Sequence, residues 1–261
     1  MGINNVGTGF TNIESLLPKN GLKYGKYWSP YTTTTFENNL KYGDLSDLAE
    51  PVRSQIIYSL QYLDFLKIVV DDLMLHSIVQ AELYKTYIIT AVSIIEAILY
   101  HIVKKNFESG NIKKKYLSSI AKIEDEIIVM ENKGVIDGDE RRMRIAFINE
   151  LEAPEWYDDV SLCNLIDVTK NSRLGICNST GYETLHELRH IRNKIHLTIE
   201  AKNKTDYHII NEAWYYTARE SLYYILTSEK FKVPKPEVYN FIKLTDEEKQ
   251  EYERIKSTRK I

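Results

Sequence analysis

The stretch YIITAVSIIEAILYHIV, residues 87–103, decides the fold of this chain. It is predominantly apolar, with Glu96 near its middle and with Lys85 and Lys104 just outside it. A helix that crosses a membrane needs about 20 apolar residues, so this run stands at the short limit of a span. Its length and its inner carboxylate favour a helix buried on most sides in an all-helical core, without membrane contact.

Two long helices are predicted around this stretch, because residues 52–107 contain neither proline nor glycine. The first begins near Ser46, a suitable N-cap, and tolerates Pro51 in its opening turns. The second contains the apolar stretch and ends near Gly110, an ordinary helix stop. The polar residues 71–77 are the expected junction between the two helices.

A β-hairpin is predicted at about residues 127–151, inserted between helices. EIIVMENKGVID and RRMRIAFINEL are rich in strand-forming residues, and the turn signal DGDE at residues 137–140 separates them. The second run places Arg141, Arg142 and Arg144 in the hairpin, where a solvated strand face is a better explanation than a contact to nucleic acid.

Three more helices are expected after the hairpin. Ser161 caps a helix from Leu162 to about Arg173, and a second helix reaches about Ile199. The third runs from Asp206 to about Ser228, with Thr205 as its N-cap; these boundaries follow from capping residues and breakers.

The chain therefore divides into three parts. Residues 1–45 form an extended N-terminal arm held by Tyr27, Trp28 and Phe36, and residues 46–228 form the helical domain with its hairpin. Residues 229–261 form a C-terminal extension whose charged, mostly solvated helix opens with the capping-box pattern TDEE at residues 245–248. The predicted fold class is mainly α.

Composition limits the function classes. The 261 residues carry a formal net charge of −3, so binding to nucleic acid would need a local basic site. Two cysteines are too few for a disulfide framework or a CxxC metal site. The opening residues MGINNVGTGF lack the basic and apolar regions of a signal peptide. A reducing cytoplasm is the expected location, and no metal site or cofactor is predicted.

The chemically suggestive stretch is LHELRHIRNKIHL, residues 185–197. On a helix, four of its polar side chains share one arc at the spacing i, i+3, i+4 and i+7. These are Arg189, Arg192, Asn193 and His196. Two guanidinium groups, an amide and an imidazole can together grip a phosphodiester and move a proton. A solvated helix face, by contrast, usually mixes lysine with glutamate.

Glu96 is the expected supporting residue of this arc. A carboxylate in an apolar helix is costly unless it meets a cation or several donors. We therefore expect Glu96 to face the arc and to orient Arg189 or Arg192. An ordinary buried ion pair that sets the register of the two helices is the alternative, and one arginine can serve both purposes.

The stretch LRHIRNKIHL, preceded by the long helix KTYIITAVSIIEAIL, resembles the HEPN superfamily (higher eukaryote and prokaryote nucleotide-binding). The resemblance implies an α-helical bundle, commonly dimeric, over residues 46–228. The family signature is an arginine followed by a polar residue, with a histidine after four to six intervening positions. Six residues separate Arg189 from His196, and three separate Arg192 from it. The spacing favours Arg189, whereas the local pair Arg192-Asn193 favours Arg192.

The resemblance also implies a chemistry. Many members are metal-independent ribonucleases of toxin–antitoxin, CRISPR and phage-defence systems, which use the 2′-hydroxyl of RNA as nucleophile and leave 2′,3′-cyclic phosphate ends. His196 would be the general base or acid, Arg192 or Arg189 would hold the phosphate oxygens, and Asn193 would position the phosphate or the imidazole.

The implied partners are RNA, a second copy of the chain bound through the helix of residues 189–196, and an antitoxin or another defence protein. Other members of the superfamily keep the fold without nuclease activity. The alternative function is therefore a catalytically inactive module that binds RNA, nucleotide or a protein partner.

Overall fold

The computed structural model describes residues 32–136, 139–157, 159–195 and 210–258, with the backbone alone described for residues 124–136 and 139–153. The described residues are mainly helical, with one two-stranded sheet, as the sequence predicts. The α-helices are α1 (Thr33–Asn39), α2 (Glu50–Asp72), α3 (Ser77–Glu108), α4 (Leu162–Asn171), α5 (Ser179–Lys194), α6 (Glu212–Leu226) and α7 (Asp246–Thr258), and the strands are β1 (Ala121–Ile136) and β2 (Asp139–Trp156).

The long α2–α3 pair is confirmed, with its junction at the predicted position, but α2 begins at Glu50 after Ala49 and Ser46 does not cap it. Pro51 stands at the start of α2, where its missing N–H is no loss. After α2 ends at Asp72, the His76 ring accepts a hydrogen bond from the Ile78 amide and caps α3. Gly110 follows α3 with a φ of +68°, a conformation that glycine adopts without strain.

Helix α3 is the centre of the hydrophobic core. Its apolar residues are buried and pack against α2, α4, α5 and α6. By length and composition alone α3 also meets the criterion for a membrane span, a test that the core helix of a soluble protein passes as well. Because α3 has helices packed along its length, it has the position of a core helix.

The N-terminal arm is partly helical, which corrects the prediction of an extended segment. Residues 33–39 form α1, and Gly43–Leu45 forms a 3₁₀ turn. Phe36 is fully buried, with its ring centroid 5.9 Å from Phe241 and 6.3 Å from Tyr239. These contacts, between residues distant in sequence, stabilise a helix that the sequence did not predict because it begins with consecutive threonines. The other expected anchors, at positions 27 and 28, lie outside the described residues.

The hairpin is present and is longer than predicted. Strands β1 and β2 are antiparallel, and they reach from Ala121 to Trp156 with register shifts near Lys122 and Ile128. Trp156 anchors the base of the hairpin on α3, because its Nε1 donates to the Tyr100 hydroxyl at 3.0 Å.

Local capping signals set the later helices. Ser161 caps α4 as predicted, by accepting a hydrogen bond from the Asn164 amide at 3.3 Å. Helix α6 begins at Glu212 and not at the predicted Asp206, because the Asn211 backbone is extended and its side chain caps the helix. The preceding helix is predicted to reach about Ile199, but it ends at Lys194, where the amide of Ile195 closes its last turn. The predicted cap at position 205 lies outside the described residues.

The C-terminal helix α7 has the predicted capping box. The Thr245 amide donates to Glu248 Oε2 at 2.7 Å, and the Glu248 amide donates to Thr245 Oγ1 at 3.2 Å. Helix α7 is mostly exposed, as predicted, and one side of it packs on α6. Glu248 binds Arg219 of α6, which is fully buried, and Tyr252 shares a hydrogen bond with Thr217.

Candidate functional site

Glu96 of α3 and Arg192 of α5 form an ion pair. Arg192 Nη2 donates to Glu96 Oε2 at 3.2 Å, and each side chain is 30% exposed. The buried residues Leu188 and Ile191 turn this side of α5 towards the core, so that Arg192 faces α3. The contact expected of Glu96 is therefore present, and Arg192 is the arginine that makes it.

Arg189 has different surroundings from Arg192. Its Nη2 lies 3.0 Å from Nε2 of the neighbouring His190, and its Nε is buried without a hydrogen-bond partner among the described residues. A buried donor without a partner costs about 1–3 kcal/mol. Arg189 lies one helical turn before Arg192, but no carboxylate in the described part of the chain holds it in place.

The other two members of the predicted arc lie at the end of α5. Asn193 follows Arg192 and is half-buried. The helix ends at Lys194, and the amide of Ile195 closes its last turn by donating to the carbonyls of Ile191 and Arg192. His196 lies outside the described residues. The structure therefore brings Glu96, Arg192, Arg189 and Asn193 into one region and leaves the position of the imidazole as a prediction.

The basic end of α5 also has a structural explanation. Arg192 and Lys194 lie in the last turn of the helix, where cations interact favourably with the helix dipole. This effect accounts for positive charge at the end of α5, but a helix dipole needs no carboxylate from another helix. The pairing with Glu96 fixes the direction of the Arg192 guanidinium, which the dipole alone would leave free.

A second polar cluster joins α4 to α5, and the sequence did not reveal it. His186 Nε2 lies 3.1 Å from Asp167 Oδ1, and Cys163 Sγ lies 3.7 Å from Asp167 Oδ2. In a cysteine nucleophile the imidazole contacts the sulfur, whereas here the carboxylate lies between the two. The i, i+4 spacing of Cys163 and Asp167 was the only signal in the sequence. The cluster gives His186 a role in the packing of α4 against α5.

A cavity of about 410 Å³ lies at the opposite end of α5. Cys177 and Thr180 line it near the start of α5, together with Lys256 of α7. Burial raises the pKa of the Cys177 thiol to about 11, so this thiol is neutral at pH 7. Thr180 is twelve residues before Arg192, about 18 Å along the helix axis. The cavity is therefore separate from the ion pair.

Metal chemistry has no candidate site in the described ranges, where no group of three or more His, Cys, Asp and Glu side chains is arranged to hold a metal ion. No family model, curated protein or solved structure matches the chain significantly. The candidate site is therefore defined by its own geometry, an arginine at the end of one helix held by a carboxylate from the central helix.

Proposed function

We propose that this protein is a metal-independent endoribonuclease of the HEPN type, which cuts RNA to 2′,3′-cyclic phosphate ends. The contact of Arg192 with Glu96 supports this proposal. It fixes the direction of a guanidinium at the C-terminal end of α5, and the sequence places His196 just beyond that end. The proposed catalytic residues are His196, Arg192, Arg189 and Asn193, with Glu96 as a positioning residue.

The chemistry of this proposal depends on the N–H donors of Arg192 and on the proton that His196 would transfer. A guanidinium has five N–H donors in a fixed plane, and the ion pair with Glu96 uses one. Arg192 can therefore contact Glu96 and a phosphate together, and it would stabilise the charge that develops on the non-bridging oxygens. His196 would transfer a proton, a step that contributes typically about 10²–10⁴-fold.

The remaining parts of the proposal concern assembly and cellular role. The proposed site has one imidazole from each chain, that of His196, whereas the reaction needs a base and an acid. A homodimer formed through α5 would bring two imidazoles to one cleft. We propose that such a dimer is a cytoplasmic toxin or phage-defence effector that acts on RNA and is controlled by an antitoxin or another defence protein.

The decisive experiment is an RNA cleavage assay in the presence of a chelator. We expect the purified protein to cut RNA under these conditions, and we expect His196→Ala to abolish cutting because the proton-transfer group is lost. Cleavage products are followed by gel electrophoresis, and the stability of each variant is followed by thermal unfolding.

His76→Asn is the matched control, because it removes a histidine distant in sequence from the site and keeps a good N-cap for α3. This variant is expected to cut RNA at the wild-type rate. Full activity of His196→Ala would exclude the proposed role of His196.

The second candidate function is an inactive HEPN module that binds RNA, nucleotide or a protein partner. The same ion pair supports it, since Glu96 partly neutralises the guanidinium and joins two helices. In that case no RNA is cut, and Arg192→Ala weakens binding or dimerisation.

A further inference from the structure

A ridge of side chains runs along α3 from the ion pair towards the end of the helix. Glu96, Tyr100 and Lys104 follow one another at intervals of four residues, so they lie on one face of α3. The two ends of this ridge are separated by eight residues, about 12 Å along the helix axis. Each of the three side chains is partly exposed.

The middle of the ridge is aromatic. The Tyr100 ring meets the Trp156 ring edge-on, with 5.5 Å between the centroids, and Lys104 Nζ lies 5.9 Å from the Tyr100 centroid. Trp156 is itself partly exposed and also packs on Phe107. Aromatic rings beside lysines can stack unpaired bases next to a phosphate backbone.

Two further lysines lie in the segment that joins α3 to β1. Lys113 and Lys115 are exposed in the segment that leads into β1, and the first residue of β1, Ala121, pairs with Trp156. Lys115 Nζ lies 4.7 Å from the centroid of the Tyr116 ring. We call Tyr100, Lys104, Lys113, Lys115 and Trp156 the lysine–aromatic surface.

The helix dipole explains only one lysine in this region. The effect of the dipole is limited to the last turn, and Lys105 is the basic residue of the last turn of α3. Lys105 also pairs with Asp47 at 3.1 Å. Lys104, Lys113 and Lys115 have no carboxylate partner among the described residues, so their charges are not accounted for by the fold.

We infer that the lysine–aromatic surface binds the single-stranded RNA that extends from the cleavage site. This inference rests on the proposed function and assigns the substrate strand a path along α3. The protein has a net charge of −3, so a polyanion needs a local basic surface. Rings next to the lysines favour unpaired bases over a duplex, whose bases are already stacked.

The test measures binding of a fluorescein-labelled 2′-O-methyl RNA 12-mer to the full-length protein by fluorescence anisotropy. This probe has no free 2′-hydroxyl, so binding is measured whether or not the protein is a nuclease. The variant replaces Lys104, Lys113 and Lys115 with alanine. We expect Kd to rise by at least about tenfold and the slope of log K against log salt to fall by about 2, because three phosphate contacts are lost.

The matched control replaces three exposed lysines elsewhere, Lys41, Lys235 and Lys249, with alanine. It has the same change in net charge, and its Kd is expected to stay within about twofold of the wild-type value. A variant with arginine at positions 104, 113 and 115 keeps the positive charge and is expected to bind like the wild type.

The inference would be overturned if the wild type does not bind the probe, or if both alanine variants lose affinity equally. It would also be overturned if these lysines bind phosphatidylserine vesicles and no RNA. If RNA is cut normally by the alanine variant with unchanged Kd and KM, the surface is wrong and the nuclease assignment stands. If the probe binds through these lysines but no RNA is cut, the nuclease assignment fails and the surface stands.

Discussion

The ion pair between Glu96 and Arg192 is a modest source of stability. Both side chains are 30% exposed, and ion pairs with such access to water contribute about 0–1 kcal/mol. A contact of this strength is not required to hold α3 and α5 together, because the buried apolar residues of both helices already do so. Its main physical effect is to give the Arg192 guanidinium one direction.

Asp64 of α2 is an acid in the core. Its side chain is 3% exposed, and Oδ2 has no hydrogen-bond partner among the described residues. Burial raises its pKa from the ordinary 3.8 to about 7, and the charge of Lys67 on the same helix offsets only part of this shift. Burial raises the pKa of the Tyr87 phenol of α3, and the charge of Asp64 adds to this shift.

Asp64→Asn is expected to stabilise the protein at pH 8 by about 1–3 kcal/mol, since one pKa unit corresponds to about 1.4 kcal/mol. An acid whose pKa is raised by folding holds its proton more tightly in the folded chain. The contribution of Asp64 to the free energy of unfolding therefore falls as the pH rises from about 4 to about 7 and then levels off. Urea unfolding at pH 5 and pH 8 measures the difference.

The matched control is Asp71→Asn, which makes the same change on the exposed side of α2. Its free energy of unfolding should stay within about 1 kcal/mol of the wild type at both pH values. Equal effects of the two substitutions at pH 8 would contradict the role assigned to burial at Asp64.

At the scale of the elements, Gly43 joins the N-terminal segment to the turn that follows α6. Its φ is +55°, and a Cβ at this position would lie 2.4 Å from the carbonyl oxygen of Lys230. Real Cβ atoms do not approach backbone so closely, so the 3₁₀ turns at Gly43–Leu45 and Glu229–Phe231 can meet only through glycine.

Gly43→Ala is therefore expected to lower the free energy of unfolding by about 3 kcal/mol or more, as measured by urea unfolding. The alanine would adopt a strained positive φ, and the backbone at Lys230 would also have to move away from its Cβ. Gly110→Ala is the control. Gly110 has a similar φ of +68°, but no atom of the described residues lies within 4 Å of the position that a Cβ would occupy there. Gly110→Ala therefore measures the cost of a positive φ for alanine alone, which is expected at about 1 kcal/mol. An equal loss of stability in both variants would exclude an effect of the contact with Lys230.

The C-terminal helix is attached by a buried cation. Arg219 of α6 is fully buried and donates to both oxygens of Glu248 and to the carbonyls of Ile242 and Lys243. Burial acts to raise the pKa of Glu248, but hydrogen bonding to Arg219 and its charge outweigh this effect, so the pKa lies below its usual value. The carboxylate therefore stays charged and keeps α7 on α6.

For the whole molecule, the proposed homodimer makes a quantitative prediction. If the base and the acid come from different chains, a heterodimer of wild-type and His196→Ala chains has a cleft with one imidazole. Its cleavage rate should then fall below about 1% of the wild-type rate, in line with the loss of one proton-transfer group. Heterodimers purified with two different affinity tags allow this measurement.

Half of the wild-type rate in the heterodimer would show that each chain has an independent site. A mass of one chain, 30.5 kDa, in light scattering at assay concentrations would exclude the dimer itself.

The sequence by itself determined those features that depend on neighbouring residues. Pro51, Gly110, Ser161 and the pattern at residues 245–248 marked helix ends correctly, because caps and breakers act within one turn of the chain. The central position of α3 followed from its apolar length, and the hairpin followed from two strand-forming runs about a turn signal. The outer limits of the hairpin were underestimated, and the start of α6 was predicted at Asp206 although the local cap is Asn211.

The tertiary structure decided the features that join distant segments. Helix α1 depends on the contact of Phe36 with Tyr239, and the attachment of α7 depends on the pair of Arg219 and Glu248. The sequence left Arg189 and Arg192 as possible partners of Glu96. The packing of α5 against α3 places Arg192 in contact with it. Periodicity places side chains on the face of a helix, but only the packing of two helices determines which side chains meet.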